Sequence, residues 1–71
     1  MKSNAAAQLS PRERDIVRLL TQGLSLKEVA LELGTAHGTV RKQVMGARKK
    51  TGCRSNAEMV VKAVERRAVA G

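Results

Sequence analysis

TVRKQVMGARKKTG, residues Thr39 to Gly52, is the stretch whose reading decides the fold. Wound as one helix at roughly 100° per residue, it places Val40, Val44, Ala47 and Thr51 on one narrow stripe. Gly38, Arg41, Lys42, Met45 and Lys49 fall on the opposite side. No acidic residue occurs between Glu32 and Glu58, yet Arg41, Lys42, Arg48, Lys49, Lys50 and Arg54 all lie there. A helix held to a small core by one side, with bare positive charge on the other, suits the groove of a nucleic-acid duplex. The same pattern also describes a solvated amphipathic helix that happens to be basic.

The rest of the composition narrows the choice. Seventy-one residues make one small domain with a limited core. Aromatic residues are absent, so the core must be Leu, Val, Ile, Ala and Met. That excludes the stacking platforms with which single-strand and RNA modules hold unpaired bases. With 14 Lys and Arg against 6 Asp and Glu, the formal charge is +8. Such a balance favours a polyanion, nucleic acid before an anionic membrane surface. Cys53 is the single cysteine, which excludes an intramolecular disulfide and fits a reducing cytosol. It reads as a small buried hydrophobe. One Cys and one His, His37, do not assemble a usual zinc site, and no metal or cofactor is expected. The opening MKSNAAAQ has no apolar run for a signal or anchor, so a cytoplasmic protein is expected. No catalytic constellation or phosphate-cradling loop is present, and an enzyme is not expected.

Along the chain, residues 1–8 carry no periodic pattern and read as a tail. Ser10-Pro11-Arg12-Glu13 is a capping box that opens a first helix, with Leu9 placed as a hydrophobic staple. Ile16, Val17, Leu19 and Leu20 face inward, while Arg12, Glu13, Arg14, Asp15 and Arg18 form the wet side as surface pairs of little weight. Gly23 closes this helix. Ser25-Leu26-Lys27-Glu28 repeats the box, with Leu26, Val29, Ala30 and Leu33 apolar, and Gly34 ends the second helix. A two-turn helix, a tight turn through Ala36 and a longer helix make a helix-turn-helix. Gly38 and Gly46 each weaken the third helix by about 1 kcal/mol relative to Ala, or admit a close phosphate. Ser55-Asn56-Ala57-Glu58 is a third box, predicting a fourth helix from about Asn56 to Arg67. Ala57, Val60, Val61, Val64 and Ala68 form its apolar stripe, and Met59 and Ala63 widen the arc to roughly 200°. The surplus either seals the core of a monomer or forms a two-fold dimer contact. The expected fold is all-α: a tail over 1–8, a four-helix domain over 9–68 and frayed residues 69–71.

LSPRER, QGLSLKEVALELG, GTVRKQV and TGCRSNAE, in that order, give the chain a resemblance to the LuxR/GerE-type helix-turn-helix domain over about Leu9 to Val64. Its length is similar to that of a free-standing GerE-like member. The resemblance implies a sequence-specific regulator of transcription that binds double-stranded DNA as a homodimer, with the third helix in the major groove. Arg41, Lys42 and Met45 then occupy groove-facing positions, with His37 and Gly38 at the same helix's start. An Arg there pairs with guanine and a Met meets a thymine methyl. Lys27, Thr39, Lys49, Lys50 and Arg54 are the expected phosphate contacts. The fourth helix is the implied dimer contact, through Met59, Val60, Ala63 and Arg67.

The chain also departs from the family pattern. Thr35 stands where an apolar residue is common, and Ala36 where Ser or Thr caps the third helix, so Thr35 is expected to take over capping. Gln43 replaces a frequent His, Cys53 a common Val, and Ala47 and Thr51 are smaller or more polar than the usual core residues. These changes motivate a rival expectation: a protein-binding antagonist that heterodimerises with a LuxR-type regulator through the fourth helix. The helix-turn-helix of sigma factors shares the SLKEVALELG and GTVR patterns, but the TGCRSNAEMV continuation speaks for the first family. Expected partners are duplex DNA, a second copy, and a LuxR-type protein or RNA polymerase, on the bacterial nucleoid. A membrane surface ranks last, because the basic helix lacks Trp or Phe to insert.

Overall fold

Ser10, Ser25 and Ser55 each stand three residues ahead of a Glu, and a helix starts after every one of them. The computed structural model describes residues 9–70, with side chains over 9–66. Its elements are α1 (Pro11–Thr21), α2 (Leu26–Leu33), α3 (His37–Thr51) and α4 (Asn56–Ala70). The described residues contain no strand, so the fold is all-α. The tail expected over 1–8 lies outside the described residues.

Two boxes close as their sequences require. Ser10 Oγ accepts the Glu13 N–H at 3.1 Å while the Ser10 N–H donates to Glu13 Oε1 at 2.9 Å. Ser25 and Glu28 do the same at 3.1 and 2.8 Å. The third is altered. Ser55 Oγ accepts the Glu58 N–H at 3.1 Å, but Glu58 Oε1 reaches past the cap to the Arg54 N–H at 2.6 Å. The carboxylate that a complete box would turn to the Ser55 N–H thus accepts from the N–H one residue upstream.

Between α2 and α3 the chain turns on Gly34, whose φ of 67° is left-handed and favours a residue without Cβ. The Thr35 N–H donates back to the Ala30 carbonyl at 3.0 Å and locks the turn. Thr35 does not cap α3, contrary to the expectation above. Ala36 is the N-cap and supplies no side-chain acceptor, because its extended backbone and not that of Thr35 leads into the helix. Ala36→Ser is therefore expected to stabilise the domain by about 1 kcal/mol. Thermal unfolding followed by circular dichroism should show a Tm rise of roughly 4–8 °C for a domain this small.

Ile16, Val29, Val40 and Val44 are at most 2% exposed and form the centre of the core, with α1 packed on α3 and α4 and α2 on α3. From α4 the core takes Met59, 2% exposed, with Ala63 against it. Ala57, Val61 and Val64 face out instead. Three residues of the apolar stripe thus lie outside, Val60 is half-buried, and Met59 and Ala63, expected beside the stripe, make the core contact. α4 also runs to Ala70, past the expected end at Arg67, since nothing before Gly71 breaks a helix.

Candidate nucleic-acid interface

The stripe of α3 that packs on the core is closed: Val40, Val44 and Ala47 are 0%, 2% and 1% exposed. With that side fixed, helical geometry turns His37, Gly38, Arg41, Lys42, Met45 and Lys49 outward, and all six are exposed. Met45 is 48% exposed, an apolar side chain presented to solvent amid cations. Thr39 and Lys27 are exposed as well, as is Arg54 in the turn after α3. Arg48 is half-buried, and its Nε is enclosed without a hydrogen-bond partner. Gln43 Oε1 is enclosed in the same way.

Gly38 and Gly46 separate here. A Cβ on Gly38 would meet nothing within 4 Å, whereas one on Gly46 would lie 3.0 Å from Glu13 Oε2. Gly46 is accounted for by that close packing and not by a phosphate. Gly38→Ala is expected to raise stability, by less than about 1 kcal/mol so near the helix start. If the open face admits a duplex backbone at Gly38, the same substitution lowers DNA affinity. Paired measurements of unfolding and binding on this variant should move in opposite directions.

Lys50 is exposed but engaged by a carboxylate. Its Nζ donates to Glu13 Oε1 at 2.8 Å, so it ties α3 to α1 and the phosphate contact expected of it is replaced by an ion pair. Glu13, expected on the wet side of α1, is 8% exposed. Burial by itself raises the Glu13 pKa. The Lys50 hydrogen bond, the Ser10 backbone N–H and the Lys50 charge together outweigh burial and hold the carboxyl below its ordinary value. Position three of a capping box marked the Glu13–Ser10 contact, but nothing local could mark a partner in the last turn of α3. The other acid of the helix, Asp15, behaves as expected, meeting Arg18 at 3.6 Å in an exposed pair.

Of the expected dimer residues, Met59 is buried in this domain's own core, and Ala63 is half-buried beside it. Val60 is half-buried, and the Arg67 side chain lies outside the described residues. Among the described residues the exposed apolar face of α4 consists of Ala57, Val61 and Val64, the last two 53% and 47% exposed. No helix among the described residues is long and apolar enough to cross a membrane.

Comparison with known proteins places this arrangement. The family model described as Sigma-70, region 4 matches residues 3–51, a span that ends with α3. The nitrate/nitrite response regulator protein NarL of Escherichia coli K12 is 43% identical over 54 residues, 76% of this chain and 25% of NarL. The probable HTH-type transcriptional regulator GfsR of Streptomyces halstedii is 37% identical over 60 residues, 84% of this chain and 25% of GfsR. The spore germination protein GerE of Bacillus subtilis is 38% identical over 53 residues, 75% of this chain and 72% of GerE. The chain thus spans about a quarter of NarL and GfsR but most of GerE. A match of 60 residues in a chain of 71 must run at least to Val60, inside α4, beyond the end of the region 4 match. The chain belongs to the LuxR/GerE-type helix-turn-helix family, and its first three helices also carry the sigma-70 region 4 pattern.

Proposed function

We propose that this domain is a sequence-specific regulator of transcription that lays α3 in the major groove of duplex DNA. The observation that carries the reading is the division of α3: Val40, Val44 and Ala47 are closed into the core while Arg41, Lys42, Met45 and Lys49 stand exposed with no carboxylate on the same helix. Arg41 reads a base edge, Met45 offers apolar contact to a thymine methyl, and Lys42 reads or steers in the same groove. Lys27, Thr39, Lys49 and Arg54 bind phosphate, and His37 meets the backbone or a base at the start of α3. The domain acts as a homodimer on half-sites about one helical turn apart, in the bacterial cytoplasm. The exposed Ala57, Val61 and Val64, with Val60 at their edge, supply the two-fold contact.

Titration of fluorescently labelled duplexes at two salt concentrations tests the reading; the label is needed because the chain has no Trp or Tyr. Affinity that falls steeply with salt and prefers one sequence by about a hundredfold or more is the expected result. Salt-sensitive binding without preference would refute the sequence-specific role. The dimer is tested separately. Val61→Glu with Val64→Glu should give a monomer in sedimentation at unchanged helix content, with weakened binding to paired half-sites but not to one.

A second reading is favoured by the uncapped start of α3 and the bare α4 face: a protein-binding antagonist that pairs with a LuxR-type regulator. Negligible DNA affinity at physiological salt, together with a stable heterodimer, would select it.

A further inference from the structure

The seam between α1 and α4 opens into a cavity of about 470 Å³ that takes no residue from the outward face of α3. Its floor is apolar, built by Leu9, Val17, Met59 and Ala63. Thr51 and Cys53, at the end of α3 and in the following turn, form one wall with short side chains that leave the space open. Exposed cations from both helices stand around it: Arg14 and Arg18 from α1, Lys62 and Arg66 from α4. No carboxylate lines it among the described residues. Two acids approach from outside, Asp15 at 3.6 Å from Arg18 and Glu58 at 4.0 Å from Lys62. Both pairs are exposed and weakly held, so either cation can turn to another anion.

These features select the chemistry of an occupant. The volume falls within the roughly 300–1,000 Å³ of small-molecule pockets. An apolar floor rewards a hydrocarbon body, whereas a small polar anion would leave that floor wet. Cations at the rim, with no carboxylate lining the cavity among the described residues, reward a negative end, and a neutral or cationic amphiphile leaves them unmatched. We propose that the α1–α4 cavity is a binding site for a free aliphatic carboxylate, its chain on Leu9, Val17, Met59 and Ala63 and its carboxylate among Arg14, Arg18 and Lys62.

The test uses the full chain and sodium decanoate below its micelle concentration. Methyl and amide NMR shifts should saturate, centred on Val17, Met59 and Ala63. Saturation should also slow alkylation of Cys53 by iodoacetamide several-fold, since the thiol lines the cavity. Arg18→Gln with Lys62→Gln should weaken decanoate at least fivefold while circular dichroism stays unchanged. Decyltrimethylammonium should not compete. Equal binding of the ammonium, shifts centred on Arg41 to Lys49, or binding seen only with anionic phospholipid vesicles would each overturn the proposal. So would the absence of saturable binding. None of these readouts involves DNA, so failure here leaves the groove-binding reading untouched, and the reverse holds.

Discussion

Arg41→Ala is expected to reduce affinity for the preferred duplex by about 5- to 150-fold, the equivalent of about 1–3 kcal/mol for one lost bidentate base contact. The loss should be concentrated at one base-pair position, so that the variant discriminates less as well as binding less. Arg41 is exposed and stands beside the buried Val40, so its removal leaves the core intact and the far-ultraviolet spectrum unchanged. Lys49→Ala should behave differently. A phosphate contact carries no sequence information, so binding should weaken by a similar factor on every duplex. The slope of log affinity against log salt should fall by about 1. Titrations of both variants on preferred and random duplexes distinguish the two roles. Unchanged affinity for Arg41→Ala with Lys42→Ala would remove α3 from the groove.

Glu13→Ala should be the most damaging change at a charged position. It removes the reciprocal half of the α1 capping box and the ion pair that joins α1 to α3. A buried charged partnership of this kind is worth about 2–3 kcal/mol, below that of a fully buried pair because Lys50 can return to water. The Lys50 side chain is 42% exposed against 10% for Glu13. For a domain this small the Tm should fall by roughly 10–20 °C.

The pH dependence has a definite sign. The Glu13 carboxyl is held below its ordinary 4.5 in the folded state, so the unfolded chain binds the proton more readily. Its contribution is complete above the unfolded value and is lost as pH falls through the folded one. Urea unfolding of the wild type should therefore weaken on acidification below about pH 4.5 more steeply than that of Glu13→Gln. Parallel curves for the two proteins would show that the carboxylate is not engaged as described.

Helix starts, and the stops at Gly34 and Gly52, were legible in the sequence because their chemistry spans three or four residues; the end of α4, which no such residue marks before Gly71, was not. A Ser three positions before a Glu, or a Gly where the chain must turn left-handed, acts through contacts its neighbours already determine. The inward stripe of α3 was legible for a related reason: it is narrow, and its opposite side is too charged to bury. Thr35 and Ala36 show where local reading fails even at short range. Which of the two faces the open helix end depends on the backbone path out of the turn at Gly34, not on which can hydrogen-bond.

What remained for the tertiary structure shares a different physical character. α4 is apolar around more than half its circumference, so its sequence permits several orientations, and packing against α1 selects Met59 and Ala63 while leaving Val61 and Val64 outside. Glu13 lies 37 residues from Lys50, and only the closure of α1 against α3 brings the carboxylate to the ammonium and over Gly46. Periodicity and capping determined four helices and the basic outward face of one. The choice of α4 face, the burial of an acid and the cavity between α1 and α4 came from chain closure, which no residue's immediate neighbours encode.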